Sequence, residues 1–176
     1  MRRTLISSLL MFVATTATAQ EKEAHEKSEA GEAAKATPAL AAALKEAKVS
    51  LAAGLHAAEK EGRPISGKFE MEEGKLQLSV YTLKSDKFSE VIVDYKTGKV
   101  AKSEPITGGD DLVAAKKQAE AMAKTKLALR DVIARAEKAN AGYHAVSVVP
   151  EIENGKPQAD VTLLKGTTPK SVDEPL

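Results

Sequence analysis

Residues 74–84, GKLQLSVYTLK, return 81 positions later as residues 155–165, GKPQADVTLLK. In the first stretch Leu76, Leu78 and Val80 alternate with polar residues, and Tyr81 and Leu83 fall on the other face. In the second, Ala159, Val161 and Leu163 share one face and Leu164 the other. A period of two is the signature of a strand with one buried side. The helical pattern before each strand repeats too. Leu51, Leu55, Ala58, Glu59 and Lys60 recur as Leu129, Ile133, Ala136, Glu137 and Lys138, now 78 positions on. The reading is a doubled unit, with about three extra residues between helix and turn in the second copy.

The first unit has a clear start. Thr37 is a capping residue and Pro38 suits the first helical position, where no amide partner is needed. Leu40, Leu44, Ala47, Leu51, Leu55 and Ala58 then step by three and four, predicting one long amphipathic helix that Gly62 and Pro64 stop. Ile65, Gly67, Phe69 and Met71 begin a meander. Its turns are Glu73-Gly74, then Ser85-Asp86-Lys87, then the run Lys96 to Lys99, with a third strand from Phe88 to Val93 and a short fourth at Val100. A second long helix is predicted along Leu112, Ala115, Ala119, Met122, Leu129, Ile133 and Ala136, capped by Asp110 or Asp111, with Lys126 snorkelling from its stripe. Asn154-Gly155 marks a hairpin. Residues 166–170 replace the third strand, so the second unit reads as cut short. An amphipathic helix and a one-sided sheet bury each other. The expected fold class is α+β: two tandem units, each a long helix packed on a small antiparallel sheet, over residues 37–106 and 107–176.

Residues 1–19 read as an export signal. Arg2 and Arg3 precede an apolar run from Leu5 to Ala14, and Ala17-Thr18-Ala19 is a small-residue cleavage site before Gln20. The run is too short to span a bilayer, which takes about 20 apolar residues. No membrane anchor is expected after cleavage, and the location is a bacterial periplasm or the medium. Residues 20–36 carry no large apolar side chain and read as a flexible charged tail. Without the two signal arginines, the chain's 26 basic and 25 acidic residues leave a net charge of −1. That balance argues against nucleic acid as partner. There is no cysteine, so stability rests on packing.

Helix, apolar strand, acidic turn ending in Gly74-Lys75, alternating strand, and then Val91-Ile92-Val93-Asp94-Tyr95-Lys96-Thr97-Gly98-Lys99-Val100: this series resembles the PepSY domain family. The last stretch is its most specific part. The second unit matches more weakly, through Glu151-Ile152-Glu153-Asn154-Gly155-Lys156, and lacks the Thr-Gly-Lys turn. The resemblance implies an exported, non-catalytic module that modulates a peptidase or mediates an extracytoplasmic interaction. The partner it implies is a protein or peptide, with an exported peptidase among the candidates.

No residue cluster reads as catalytic, and no cofactor is expected. There is no nucleophile elbow and no thiol to pair with a histidine. His25, His56 and His144 lie apart, without ligand spacing. A weak metal site built from His25 with Glu21 or Glu26 is the alternative function, and a hydrolase with an unrecognised site is a third. Glu70, Glu72 and Glu73 read as a solvated acidic patch. The candidate interaction surface is Tyr81, Leu83, Val91, Val93 and Tyr95, taken as an apolar outer sheet face that packs on the other unit or binds a partner. The expected function is a non-enzymatic exported binding or regulatory module using that face or an exposed sheet edge.

Overall fold

The computed structural model describes residues 37–176. The expected signal, tail and His25 site therefore lie outside the described residues. Thr37 does cap the first helix: its Oγ1 accepts from the Leu40 amide at 3.1 Å, with Pro38 next in line. That helix, α1 (Pro38–Ala43), closes in a 3₁₀ turn (Leu44–Glu46) and then breaks. Ala47 is extended, and the Lys48 and Val49 amides both donate to the Tyr95 carbonyl at 2.9 and 3.1 Å. Ser50 caps a new helix, α2 (Leu51–Ala58), by accepting from the Ala53 amide. The apolar stripe runs across this break because tertiary bonds to the turn after the third strand replace intrahelical ones.

The strands follow as β1 (Arg63–Glu72), β2 (Lys75–Lys84), β3 (Lys87–Val93) and β4 (Val100–Pro105). Their first two turns are the tight pairs Glu73-Gly74 and Ser85-Asp86, all four residues at positive φ, the geometry that matches the twist of a hairpin. The second predicted helix is also two helices, α3 (Gly109–Ala123) and α4 (Leu129–Ala139). Between them Lys126 is exposed, and the Arg63 guanidinium donates to the Thr125 carbonyl at 3.0 Å. The chain ends in β5 (His144–Glu153), β6 (Lys156–Lys165) and β7 (Thr168–Pro175).

All seven strands form one antiparallel sheet in the order β4-β3-β2-β1-β5-β6-β7. Two separate small units with a sheet each are therefore not what the chain forms, and neither helix is long and unbroken. The expected fold class and the resemblance to the PepSY domain family, with its tandem arrangement, are overturned by this single sheet. The reason lies at β1 and β5. Each is the outer strand of its own hairpin, and the two pair with each other, Gly67 opposite Val148 and Lys68 opposite Ser147. This seam is short. Bulges set Ile65 and Val146 out of the ladder, and Pro150 has no amide to donate. Both bulge residues are buried. Nor is the second half cut short. β7 pairs with β6 over eight positions, but its residues are mostly exposed and polar, so no apolar alternation announces it.

Neighbouring residues on a strand face opposite sides. One side carries Gly67, Leu78, Val80, Val91, Val93, Val148 and Val161, partnered across the strands and shut off from solvent. Helices α2 and α4 cover it, joined at their surface by Arg130 Nη1 donating to Glu59 Oε1 at 2.5 Å. The helix α2 comes very close. A Cβ on Gly54 would sit 2.5 Å from Leu78 Cδ2, and one on Gly67 would sit 2.9 Å from Leu55 Cδ2. Glycines on both the helix and the strand make that approach possible.

Two outcomes follow. Gly54→Val should lower the unfolding free energy by about 1–3 kcal/mol in denaturant titration, because the core cannot take the added volume without shifting Leu78. In the β3–β4 turn, the exposed Asp94 carboxylate accepts from the Lys96 and Thr97 amides, both at 2.8 Å, and these bonds hold its pKa below the ordinary carboxylate value. A depressed pKa contributes stability above the ordinary Asp range that is lost as pH falls through the folded-state value. Asp94→Ala should therefore lower Tm at neutral pH, and its gap to the parent chain should narrow on acidification.

Candidate functional site

The other side of the sheet is polar. Ser66 lies opposite Tyr81, Lys68 opposite both Ser79 and Ser147, and Ser147 opposite Thr162. All six are buried. What buries them at the centre is α3, which packs on β5, β1 and β6. The helix turns Ala115, Gln118, Ala121 and Met122 inward, a row whose second member is as polar as the strands beneath it. The contacts are correspondingly specific. Ser66 Oγ donates to Gln118 Oε1 at 2.8 Å. Tyr81 OH donates to Asp111 Oδ1 at 2.5 Å. Ser79 Oγ donates to Glu90 Oε1 at 2.5 Å, and Lys68 Nζ pairs with Glu70 Oε2 at 2.7 Å.

This setting controls protonation. Burial, then the hydrogen bond to Asp111, pushes the Tyr81 phenol far above its ordinary value, so it stays a donor. Burial also raises Glu70, opposed by Lys68 beside it. Glu70 is thus not part of a fully solvated patch, unlike the exposed Glu72 and Glu73. Asp110 or Asp111 was expected to cap α3. Neither does: the N-cap is Gly108, with no side-chain cap bond, and Asp111 reaches across to Tyr81 instead. Between Ser66, Lys68, Ser79, Tyr81 and Gln118 lies a cavity of about 10 Å³, room for roughly one water. Ser147 Oγ is fully buried and has no hydrogen-bond partner among the described residues.

Beside α3 the polar face opens. A groove of about 350 Å³ runs between Glu90 and Glu104 on the strands, residues 105–108 and Asp111 on the first turn of α3. Its volume is in the range of ligand clefts, and its walls are acidic. It borders β4, one of the two edges of the sheet. The Ile106 amide bonds to the Phe88 carbonyl. That sets the phase: Glu104 and Lys102 turn their backbone groups to β3, while Ser103 and Pro105 face outward and Ala101 is the extra residue of a bulge. Residues 101–105 are all exposed. The opposite edge is protected as well. The Leu176 amide bonds to the Pro157 carbonyl, so the outward positions of β7 are Pro169, Ser171, Asp173 and Pro175. Two of those four have no amide, and the Pro175 carbonyl is occupied by Arg135 at 2.6 Å.

The five residues expected to form one apolar surface are divided by the sheet. Tyr81 is 5% exposed beneath α3, and Leu83 is half-buried. Val91 and Val93 pair with Val80 and Leu78 on the opposite face, under the helices. Tyr95 is half-buried in the turn after β3, with the Lys96 ammonium 5.5 Å from its ring centre. His56 is exposed, hydrogen-bonded to Glu59 and near Arg130, and His144 is exposed at the start of β5. No group of three or more metal-ligating side chains occurs among the described residues, and no helix there is long and apolar enough to cross a membrane. What the sequence reading missed is Gln118, the one polar residue on the inward row of α3. The signal was present: Ser66, Lys68 and Glu70 alternate against Gln77, Ser79 and Tyr81 as a polar series.

No protein-family model, curated protein or solved structure matches this chain.

Removing the unpartnered hydroxyl tests the polar layer. Ser147→Ala should be neutral or stabilise by up to about 1 kcal/mol, since a buried unsatisfied donor is a net cost. Gln118→Ala should destabilise, because it strands Ser66. Thermal unfolding of both variants separates these outcomes.

Proposed function

We propose that the chain is an exported, non-enzymatic binding module for an extended protein or peptide segment carrying basic side chains. The segment adds as a strand to the outward edge of β4 and places a Lys or Arg in the adjoining acidic groove. The observation that carries this reading is the pairing of a free edge with that groove. Ser103 offers an outward N–H group, and Glu104 and Glu90 stand beside it. Backbone pairing supplies affinity in such recognition, and the alternate side chains supply selectivity. No bond is made or broken in this scheme. A peptidase as the particular partner rested on the family resemblance and goes no further. Export rests on the Arg2-Arg3 start, the apolar run and the Ala17-Thr18-Ala19 site.

The probe is an eight-residue peptide of alternating Lys and Val, titrated by anisotropy with amide exchange followed in parallel. Binding should protect the Ser103 amide. Ser103→Pro should abolish it without loss of Tm, since that amide makes no ladder bond. Glu104→Lys should weaken it about tenfold and reduce its salt dependence. Undiminished binding by Ser103→Pro would overturn the reading.

A further inference from the structure

We infer that α3 is a displaceable cover: it opens from the sheet as a unit while α2 and α4 remain packed. The two faces of the sheet differ in what holds their helices. Under α2 and α4 lie Leu78, Val80, Val91, Val148 and Val161, all fully buried. Apolar contact of that kind is regained nowhere else if a helix leaves. Under α3 lie Ser66, Lys68, Ser79, Tyr81, Ser147 and Thr162. Those groups bond to water when α3 lifts, so its release forfeits far less. Ser147 Oγ, unpartnered while covered, gains by exposure.

The ends of α3 suit this movement. It begins at Gly108-Gly109, with no side-chain cap; Gly109 has φ +69° and open space where a Cβ would stand. It ends before the non-helical residues 125–128, where Arg63 holds the Thr125 carbonyl. Between these ends the polar fastenings include Tyr81 to Asp111 and Ser66 to Gln118. The Tyr81 bond is a phenol to a carboxylate, the stronger kind, and it sits at the first turn of the helix. Tyr81 is thus the latch. The apolar side chains that α3 buries are Ala115, Ala121 and Met122, smaller in sum than the Leu51, Leu55, Leu129, Val132 and Ile133 buried by α2 and α4. The inference stands without the peptide-binding reading, because it concerns the free protein.

Native-state amide exchange by mass spectrometry on the intact chain tests it. Peptides from α3 should exchange through an opening of lower free energy than those from α2 and α4. Tyr81→Phe should speed α3 exchange by about tenfold or more and leave α2 and α4 unchanged. The double variant Ser66→Val, Gln118→Leu exchanges a polar contact for an apolar one and should slow α3 alone. Equal opening free energies for α3 and α2 in the parent chain would overturn the inference. So would a Tyr81→Phe effect spread evenly over all three helices, or an α3 rate that the apolar double variant leaves unchanged.

Discussion

The pairing of β1 with β5 is the contact on which the rest of the architecture depends. Each of these strands is flanked on one side by its own hairpin partner, β2 or β6. Left open on the other side, each would present a row of unpaired backbone groups. Two open edges in one chain satisfy each other, and the result is a single sheet with its seam at the centre. The seam spans only the Gly67–Val148 and Lys68–Ser147 positions. Bulges at Ile65 and Val146 lie 81 positions apart and bend both strands alike. Helices α2 and α4 then fall side by side across the middle, and their packing reinforces a ladder too short to hold by itself.

A sheet joined in this way has two faces that must both be dealt with, and they are dealt with by different chemistry. One is close-packed, down to the mutual approach of Gly54 and Gly67 to leucine side chains. Its stabilisation is non-directional and scales with apolar area. The other is held by a few directed bonds, each roughly balanced by the water it displaces. Six buried polar side chains on the strands and Gln118 above them are a costly way to build a core. Such departures from apolar packing are where function concentrates in folded chains. Here they lie beneath α3, beside an acidic groove at the β4 edge of the sheet.

Particular residues show what was legible. The hairpin turns at Glu73-Gly74 and Asn154-Gly155 were readable, because positive φ at both positions favours few residue types. The Thr37 cap and the Leu51, Leu55, Ala58 stripe were readable for similarly local reasons. The helix breaks were not. Ala47 and Ala128 have the highest helical propensity, yet both are extended: Tyr95 engages the backbone just after Ala47, and Arg63 holds the Thr125 carbonyl three residues before Ala128. The strand β7 was invisible for lack of an apolar period. The candidate surface failed for a related reason. Val91 and Tyr81 were placed together by guessing the β2–β3 register, and a shift of one residue moves a whole strand to the other face.

The sequence by itself determined the local vocabulary: amphipathic helices, tight two-residue hairpins, and a strand alternation with one apolar and one polar side. Those follow from interactions among residues a few positions apart. Only the tertiary structure decided that the halves share one sheet, that α3 crosses to the polar side, and that Tyr81 meets Asp111 there. Edge pairing and helix placement are choices among partners far apart along the chain. Backbone hydrogen bonds are nearly indifferent to side-chain identity, so no residue pattern names which edge will meet which.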